Sequence, residues 1–232
     1  MRSGIVPLAL IAVLALKVFS LVMVPSLEGA ERLFISVPVL VVGNQAGKIA
    51  GASHYVAIQL DRLPQASGPE VQFNEGSRAL GRLVGGALSP DWKEAARIAV
   101  LAAGRAIHED PRLWRITIKN LSSAYLSDGP SAGAALAVGI LAALRGETLL
   151  VGRVVTGAID TNGLILPVGG LPEKIQGAAL TGISTILIPK GQGYTPEWDI
   201  RPLAEQLHLT VIEVHTLAEA YEKMTGNTLS PI

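Results

Sequence analysis

The segment 129–133 reads Gly-Pro-Ser-Ala-Gly and matches the Gly-x-Ser-x-Gly pattern that often carries a nucleophilic serine. The hydroxyl of Ser131 is a weak nucleophile alone, so a neighbouring base must accept its proton. Pro130 suits the first position of a helix, because its φ is fixed and it has no N–H to leave unpaired. Free N–H groups at that helix start would stabilise negative charge beside Ser131. The pattern therefore predicts a nucleophilic serine, provided that the fold supplies a base.

Two other interpretations of this segment stay open at this point. In the first, Asp128 caps the helix and the small residues 131–135 only allow close packing. In the second, the segment belongs to an α/β-hydrolase, and His208 or His215 completes a triad. His208 ends an amphipathic stretch, His215 lies between a strand and a helix, and no His-Gly-Gly oxyanion motif precedes the serine. The histidines are therefore the weaker candidates for the base.

A lysine is the better candidate for the base. Residues 163–178 read GLILPVGGLPEKIQGA, which predicts a strand, a Gly-Gly turn and a helix that starts at Pro172. Lys174 then lies in the first helical turn. Burial among apolar groups and a nearby helix N-terminus both disfavour the ammonium and would lower the lysine pKa. An ordinary surface lysine is the alternative interpretation of Lys174.

The elements around these residues alternate between apolar strands and amphipathic or apolar helices without a strict βαβ rhythm. This pattern predicts a compact α+β domain. The expected strands are 33–42, 54–60, 113–119, 153–159, 164–166, 185–188 and 210–214, and the expected helices are 91–108, 130–144, 172–181, 200–208 and 216–225.

Composition limits the classes of function. The chain has 232 residues, of which 49% are hydrophobic and 16% are charged, and its 19 basic residues balance its 19 acidic ones. No net field attracts nucleic acid, so we expect no nucleic-acid partner. The chain has no cysteine, which excludes thiol catalysis, zinc–thiolate sites and disulfides. We expect one domain over residues 33–232.

The N-terminal segment 1–26 is expected to be a membrane anchor. Residues 4–24 contain Lys17 as their only charge and are long enough to cross a bilayer as a helix. Arg2 precedes them, so the positive-inside rule places the N-terminus in the cytoplasm and the catalytic domain outside it, as a single-pass membrane protein. A cleaved signal peptide, which would give a secreted protein, and a buried core helix are the alternatives.

The serine and lysine segments together resemble the proteolytic domain of the Lon proteases, which are Ser-Lys peptidases. The serine motif of that family, Asp-Gly-Pro-Ser-Ala-Gly, stands at 128–133, and its lysine motif stands at 163–174 as GLILPVGGLPEK. The order of the motifs and the 43 residues between Ser131 and Lys174 are also similar to the family. The Val-Thr-Gly at 155–157 resembles a further family strand.

The resemblance implies an α+β fold related to the second domain of ribosomal protein S5 and a serine endopeptidase activity without cofactor or metal. Ser131 would be the nucleophile, Lys174 the general base, and Thr156 a hydroxyl that orients the lysine. Gly129 and Pro130 would support the serine turn. Asp128 would be a helix cap or a gate near the serine.

Departures from the family pattern affect the expected partners. The strand 115–120 lacks the histidines of bacterial relatives, and Ala158 replaces a glutamate, which puts auxiliary substrate or subunit contacts in doubt. The segment 43–49 superficially suggests a phosphate loop, but it lacks one spacer residue and has Ile49 in place of the magnesium-binding Ser or Thr. Without an ATPase domain, we expect ATP-independent cleavage of unfolded proteins or peptides.

Related domains form rings, so we expect a homo-oligomer. Two alternatives to an autonomous peptidase remain at this point: a non-catalytic scaffold, and an accessory subunit that acts with a separate ATPase.

Overall fold

The structure is a computed structural model that describes residues 32–45, 47–75, 77–79, 82–84, 87–121 and 126–229. The expected anchor, 1–26, lies outside these residues. Among the helices that are described, none is long and apolar enough to cross a lipid bilayer.

Strands and helices alternate irregularly along the described residues, so the mixture of both that was expected of an α+β domain is confirmed. The strands are β1 (Arg32–Gln45), β2 (Lys48–Arg62), β3 (Glu70–Asn74), β4 (Ser77–Ala79), β5 (Arg82–Val84), β6 (Ala87–Leu88), β7 (Trp114–Asn120), β8 (Leu126–Ser127), β9 (Arg153–Val155), β10 (Ala158–Ile159), β11 (Ile165–Leu166), β12 (Thr185–Pro189) and β13 (Thr210–Val214). The helices are α1 (Pro90–Ala106), α2 (Gly133–Leu144), α3 (Leu171–Ala179), α4 (Ile200–Gln206) and α5 (Leu217–Thr225), and short 3₁₀ turns cover Pro111–Leu113 and Pro130–Ala132.

Two sheets organise the domain. The larger has the strand order β1-β2-β7-β3, in which β1, β2 and β7 are antiparallel neighbours and β3 runs parallel to β7. The smaller has the order β13-β12-β9 and is parallel throughout. The strands β1 and β2 form a long hairpin that pairs up to Gln45 and Lys48. Residues 43–45 and 48–49 of the phosphate-loop-like segment thus lie on antiparallel strands, and no helix follows them directly.

Helix α2 lies at the centre of the main hydrophobic core. Its residues 133–143 are all buried, because the helix is apolar on every face and packs against α1, α5 and β1. Gly139 allows the close approach to β1, since a Cβ there would lie 2.2 Å from Cγ2 of Val37. The helix therefore cannot shift without disturbing several elements at once.

Helix α3 belongs to a second apolar cluster, which includes Ile175 on the helix and Ile186 on β12. One face of α3 packs against the β1–β2 hairpin. The approach to β2 is closest at Gly51 and Gly177: a Cβ on Gly51 would lie 1.8 Å from the carbonyl oxygen of Glu173, and a Cβ on Gly177 would lie 2.2 Å from the carbonyl carbon of Gly51. Two glycines thus let the backbones of a helix and a strand touch.

Two of the sequence-based element boundaries were wrong near the serine. The expected strand 153–159 divides into β9 and β10, because Thr156 and Gly157 leave the strand ladder. The N–H of Thr156 donates to the carbonyl of Leu187 and the N–H of Gly157 donates to the carbonyl of Ser131, both at 3.0 Å. The expected helix 130–144 begins as a 3₁₀ turn and becomes α-helical only at Gly133.

Candidate active site

Ser131 lies on the 3₁₀ turn that precedes α2. Gly129 enters this turn with a φ of 79°, a left-handed conformation that favours glycine. The carbonyl of Ser131 accepts the N–H of Gly157 at 3.0 Å, and the N–H of Ala134 donates to the carbonyl of Gly157 at 3.0 Å. The chain between β9 and β10 thus braces the serine turn through its backbone.

Asp128 does not cap the helix, so that part of the expectation was wrong. The 3₁₀ turn has no side-chain cap; the Asp128 carboxylate instead accepts the N–H of Gly129 at 2.8 Å. Hydrogen bonds from the Ser89 hydroxyl and from the Gly129 N–H hold the pKa of Asp128 below its usual value. Ser89 is also the N-cap of α1, where it accepts the N–H of Trp92. Asp128 therefore ties the serine turn to the start of α1.

Lys174 is buried, and its interpretation as an ordinary surface lysine was wrong. Only 3% of the residue is exposed. Lys174 lies in the first turn of α3, which follows Gly170, on the buried face of that helix. Burial lowers the pKa of Lys174 from 10.5 to about 8. The expected direction of the shift is confirmed, with desolvation as its physical cause. A substantial fraction of this lysine is therefore neutral near pH 8.

Thr156 links the two halves of the site. Its side chain is buried, with 1% of the residue exposed. Nζ of Lys174 donates to Oγ1 of Thr156 at 3.4 Å, and Oγ1 donates in turn to the carbonyl oxygen of Ser131 at 3.4 Å. One hydroxyl thus connects the lysine head group to the backbone of the serine turn.

Ser131 and Lys174 line one cavity of about 480 Å³. The cavity wall is made by three stretches besides Lys174: Val41–Gly43 of β1, Ser127–Ser131, and Pro167–Gly170. Within the described part of the chain, no hydrogen bond joins Oγ of Ser131 to Nζ of Lys174. Catalytic hydrogen bonds are often long without substrate and tighten only in the complex. The arrangement can accept a carbonyl compound between a hydroxyl and a weakly basic amine.

The two histidines proposed for a triad are not at this site. His208 follows α4 with a φ of 55°, and His215 joins β13 to α5. Neither is among the described residues that line the cavity. The same described residues contain no group of three or more His, Cys, Asp or Glu side chains that could hold a metal ion.

Some residues that shape the site were missed in the sequence. Gln192 is buried, and its side chain makes two hydrogen bonds to the backbone of Val168. Its Nε2 donates to the Val168 carbonyl and its Oε1 accepts the Val168 N–H, each at 2.9 Å. The hairpin residues Val41–Gly43 also line the cavity. The sequence signal at Gln192 is weak, since a glutamine between two glycines usually indicates only a polar turn.

Comparison with known proteins places these features in a family. The model of the Lon protease (S16) C-terminal proteolytic domain matches residues 74–225. Lon protease 1 of Herpetosiphon aurantiacus is 35% identical over 132 residues, which cover 53% of this chain and 16% of that protein. Lon protease of Phenylobacterium zucineum is 33% identical over 164 residues, or 67% of this chain and 20% of that protein.

A mitochondrial relative shows the same extent of similarity. The mitochondrial Lon protease homolog of Rattus norvegicus is 31% identical over 166 residues, which cover 68% of this chain and 17% of that protein. The chain thus matches at most about a fifth of the length of these three relatives. Because the family model covers more than half of the 232 residues and includes both the serine turn and the buried lysine, the chain belongs to the family of Lon protease (S16) C-terminal proteolytic domains.

Proposed function

We propose that this protein is a serine endopeptidase that hydrolyses peptide bonds with Ser131 as nucleophile and Lys174 as general base. One observation carries the proposal: a buried lysine with a pKa of about 8 shares a cavity with the serine of the motif. Desolvation produces the neutral amine that a hydroxyl nucleophile requires. The family membership of the chain supports the same conclusion.

In the proposed reaction, neutral Lys174 accepts the proton of Ser131 as Oγ attacks the carbonyl carbon of the scissile peptide bond. The backbone N–H groups of Ser131 and Ala132 stabilise the oxyanion, because Pro130 has no N–H and that of Gly129 is bonded to Asp128. The Lys174 ammonium then donates its proton to the leaving amine, which gives an acyl-enzyme on Ser131. Water, deprotonated by Lys174, hydrolyses that ester and restores both residues.

Thr156 is proposed to orient the base, and Asp128 and Gly129 to hold the nucleophile turn. Nζ of Lys174 donates an N–H to Oγ1 of Thr156 at 3.4 Å, which fixes the direction of the amine. The lone pair of the amine is not used in this bond, so it can still accept a proton. A threonine hydroxyl adds no charge, so the lysine pKa remains low. This division of roles explains why two hydroxyls and one amine suffice for the chemistry.

We further propose that cleavage is independent of ATP and that the substrates are unfolded proteins or peptides. The support is that the residues flanking the β1–β2 turn lie in antiparallel strands, which leaves no strand-to-helix loop there to cradle phosphates. A cavity lined by a strand, the serine turn and a Gly-Gly turn suits an extended chain. A relation to the fold of ribosomal protein S5 domain 2 is part of the same proposal.

The proposal also includes association with a membrane and with other copies of the chain. The apolar segment 4–24 supports a single-pass anchor with the catalytic domain outside the cytoplasm, and cleavage of that segment would give a secreted enzyme. The family resemblance supports a homo-oligomer. Protease protection of intact cells and mass measurement in detergent test these two statements.

The deciding experiment compares the full-length protein with Ser131→Ala on an unfolded protein substrate without nucleotide, from pH 6 to pH 10. Wild-type activity is expected to rise about tenfold per pH unit below pH 8 and then level, because only the deprotonated amine is a base. Ser131→Ala should be inactive, and His208→Ala and His215→Ala should match wild type. Equal inactivity of wild type and Ser131→Ala would contradict the proposal. Activity that appears only with a separate ATPase and nucleotide would identify an accessory subunit instead.

A further inference from the structure

A second group of polar side chains leads inward from the cavity: Ser127 on β8 and Asn120 on β7, which are buried, and His54 on β2, which is partly buried. Asn120 is 1% exposed and Ser127 is 3% exposed. Both lie next to the main core, whose members are otherwise apolar. Burying polar groups costs stability unless every group is hydrogen-bonded, so an apolar trio would serve packing better. The polar trio needs a reason other than packing.

The strand register brings the first two residues together. Side chains alternate along β2, so His54 shares a face with Val56 and Ile58, which are completely buried. Val56 is the direct cross-strand partner of Asn120. His54 and Asn120 are therefore diagonal neighbours on the core face of the sheet.

Ser127 continues this group to the cavity. Nδ2 of Asn120 donates to Oγ of Ser127 at 2.9 Å. A serine hydroxyl that accepts a hydrogen bond still has its own proton to donate. In the described part of the chain no group accepts that proton, and Ser127 lines the same cavity as Ser131. Ser127 thus brings to the cavity wall a hydroxyl whose proton is not used within the described residues.

His54 lies at the inner end of the group. Both imidazole nitrogens are buried, and neither has a hydrogen bond of good geometry among the described residues, although the Asn120 side chain is close enough to raise its pKa. Desolvation outweighs that effect and lowers the pKa of His54 to about 4. The imidazole is therefore neutral at neutral pH, with one N–H to donate. The imidazole thus acts on Asn120 by its position, as a neighbour that limits where the amide can point.

We propose that His54 and Asn120 are positioning residues that hold the Ser127 hydroxyl as a hydrogen-bond donor to the peptide substrate beside Ser131. The donors run in one direction, from the Asn120 amide to the Ser127 hydroxyl and from the hydroxyl to a substrate carbonyl, while His54 confines the Asn120 side chain as its diagonal neighbour. Hydrogen bonds in such a series polarise and strengthen each other in a low-dielectric interior. The inference rests on the proposed peptidase function and adds a substrate contact to it.

The test measures kcat/KM of the full-length protein for a peptide substrate and the Tm of each variant. Ser127→Ala and Asn120→Leu should each lower kcat/KM about tenfold, and the double variant should lower it no further, because both changes remove one contact. His54→Phe should lower kcat/KM by a smaller factor without lowering Tm. Thr225→Val, which removes a buried hydroxyl far from the cavity that is bonded to the Tyr221 carbonyl, is the control and should leave kcat/KM unchanged.

Other results overturn the inference in distinguishable ways. Unchanged kcat/KM in Ser127→Ala, or factors that multiply in the double variant, would show that Ser127 and Asn120 do not act through one contact. Losses of kcat/KM that follow a fall in Tm, as in an ordinary core defect, would assign the trio a structural role. If wild type itself were as inactive as Ser131→Ala, the proposed function would fail, and this inference would fail with it.

Discussion

The helix that follows the candidate nucleophile and the helix that carries the candidate base are held in different ways. Helix α2 is buried on all faces, so many apolar side chains fix the serine turn at its start. Helix α3 is amphipathic and packs against the β1–β2 hairpin. The backbones of the helix and of β2 are in direct contact at Gly51 and Gly177. The position of the serine thus depends on a broad core, whereas the position of the lysine depends on a narrow contact.

The difference also appears in the polar groups of the two sides. On the lysine side, Thr156 connects Lys174 to the serine turn, and Gln192 fixes the turn that leads into α3. On the serine side, Asp128 and the backbone of Gly157 brace the turn. We therefore expect substitutions that displace Lys174 or remove its hydrogen-bond partner to affect activity more than stability, and substitutions in the α2 core to do the reverse.

The largest expected effect is that of Lys174→Met, which should lower kcat/KM by at least about a thousandfold. The same variant should be more stable at pH 7. The folded-state pKa of about 8 lies below the ordinary value of 10.5, so below pH 8 folding buries an ammonium that the unfolded chain keeps in water. That burial reduces the free energy of unfolding by about 3 kcal/mol, and the loss is recovered as pH rises from about 8 to about 10.5.

Urea unfolding of wild type and Lys174→Met at pH 7 and pH 10.5 measures this effect. The stability gain of the variant should be present at pH 7 and should shrink toward pH 10.5. A variant that is less stable than wild type at pH 7 would show that burial of the Lys174 ammonium does not lower the free energy of unfolding. The contrast between the two helices would then lose its main support.

A matched pair of glycine substitutions tests the contrast directly. A Cβ on Gly177 would meet the backbone of β2, and a Cβ on Gly139 would meet a side-chain methyl of Val37, each at 2.2 Å. Gly177→Ala must separate α3 from the hairpin, so we expect kcat/KM to fall about a hundredfold as Lys174 is displaced. Gly139→Ala should cost about 1–3 kcal/mol of stability through overpacking. Its kcat/KM should stay within about threefold of wild type.

Activity assays and thermal unfolding of both variants give the answer. If Gly139→Ala loses as much activity as Gly177→Ala at a temperature where both are folded, the two helices are equally sensitive and the comparison fails. Crystal structures of the variants would show the displacement of α3 as a longer separation between Gly51 and residue 177.

A smaller effect is expected for Thr156→Val, which keeps the shape of the side chain and removes its hydroxyl. The lysine loses a hydrogen-bond partner, so kcat should fall about tenfold while KM changes little. Thr156→Ser should restore most of the activity because it returns the hydroxyl. Steady-state kinetics separate the two parameters, and a rise in KM alone would assign Thr156 to substrate binding instead.

The smallest effect on activity is expected for Gln192→Leu. This change leaves the N–H and carbonyl of Val168 without their partners at 2.9 Å, so we expect a stability loss of about 1–3 kcal/mol. Because Val168 only lines the cavity, KM should rise about threefold with kcat almost unchanged. A fall in kcat that exceeds that of Thr156→Val would mean that the turn also controls the lysine.

Much of the site could be predicted from the sequence because the residues proposed for the chemistry lie in two local motifs, at 128–133 and 163–174. Pro130 and Pro172 indicate helix starts, and the positions of Ser131 and Lys174 relative to them follow from local geometry. The burial of Lys174 was one of two interpretations of the sequence, since Glu173 beside it is charged and a surface lysine stayed possible. Assignment of the roles of these residues remains a prediction until the variants are measured.

The remaining features depend on contacts between distant parts of the chain. The break at Thr156 and Gly157 was missed because their backbone pairs with β12 and the serine turn, whereas periodicity reports only on neighbours in sequence. The role of the β1–β2 hairpin in packing α3 was missed for the same reason. Gln192 and Asn120 were missed because a single polar residue in a turn or strand gives no signal of what it will meet.

The burial of Lys174 also has a consequence for when the chain becomes reactive. Its pKa is low only because α3 is closed against the rest of the domain, and in an open or half-made chain the amine returns to water and regains its usual protonation. We therefore expect nascent and damaged copies of the protein to lack peptidase activity, because Lys174 stays protonated in them. The domain acquires a reactive serine only once α3 has packed around Lys174, so folding itself confines the activity to the completed domain.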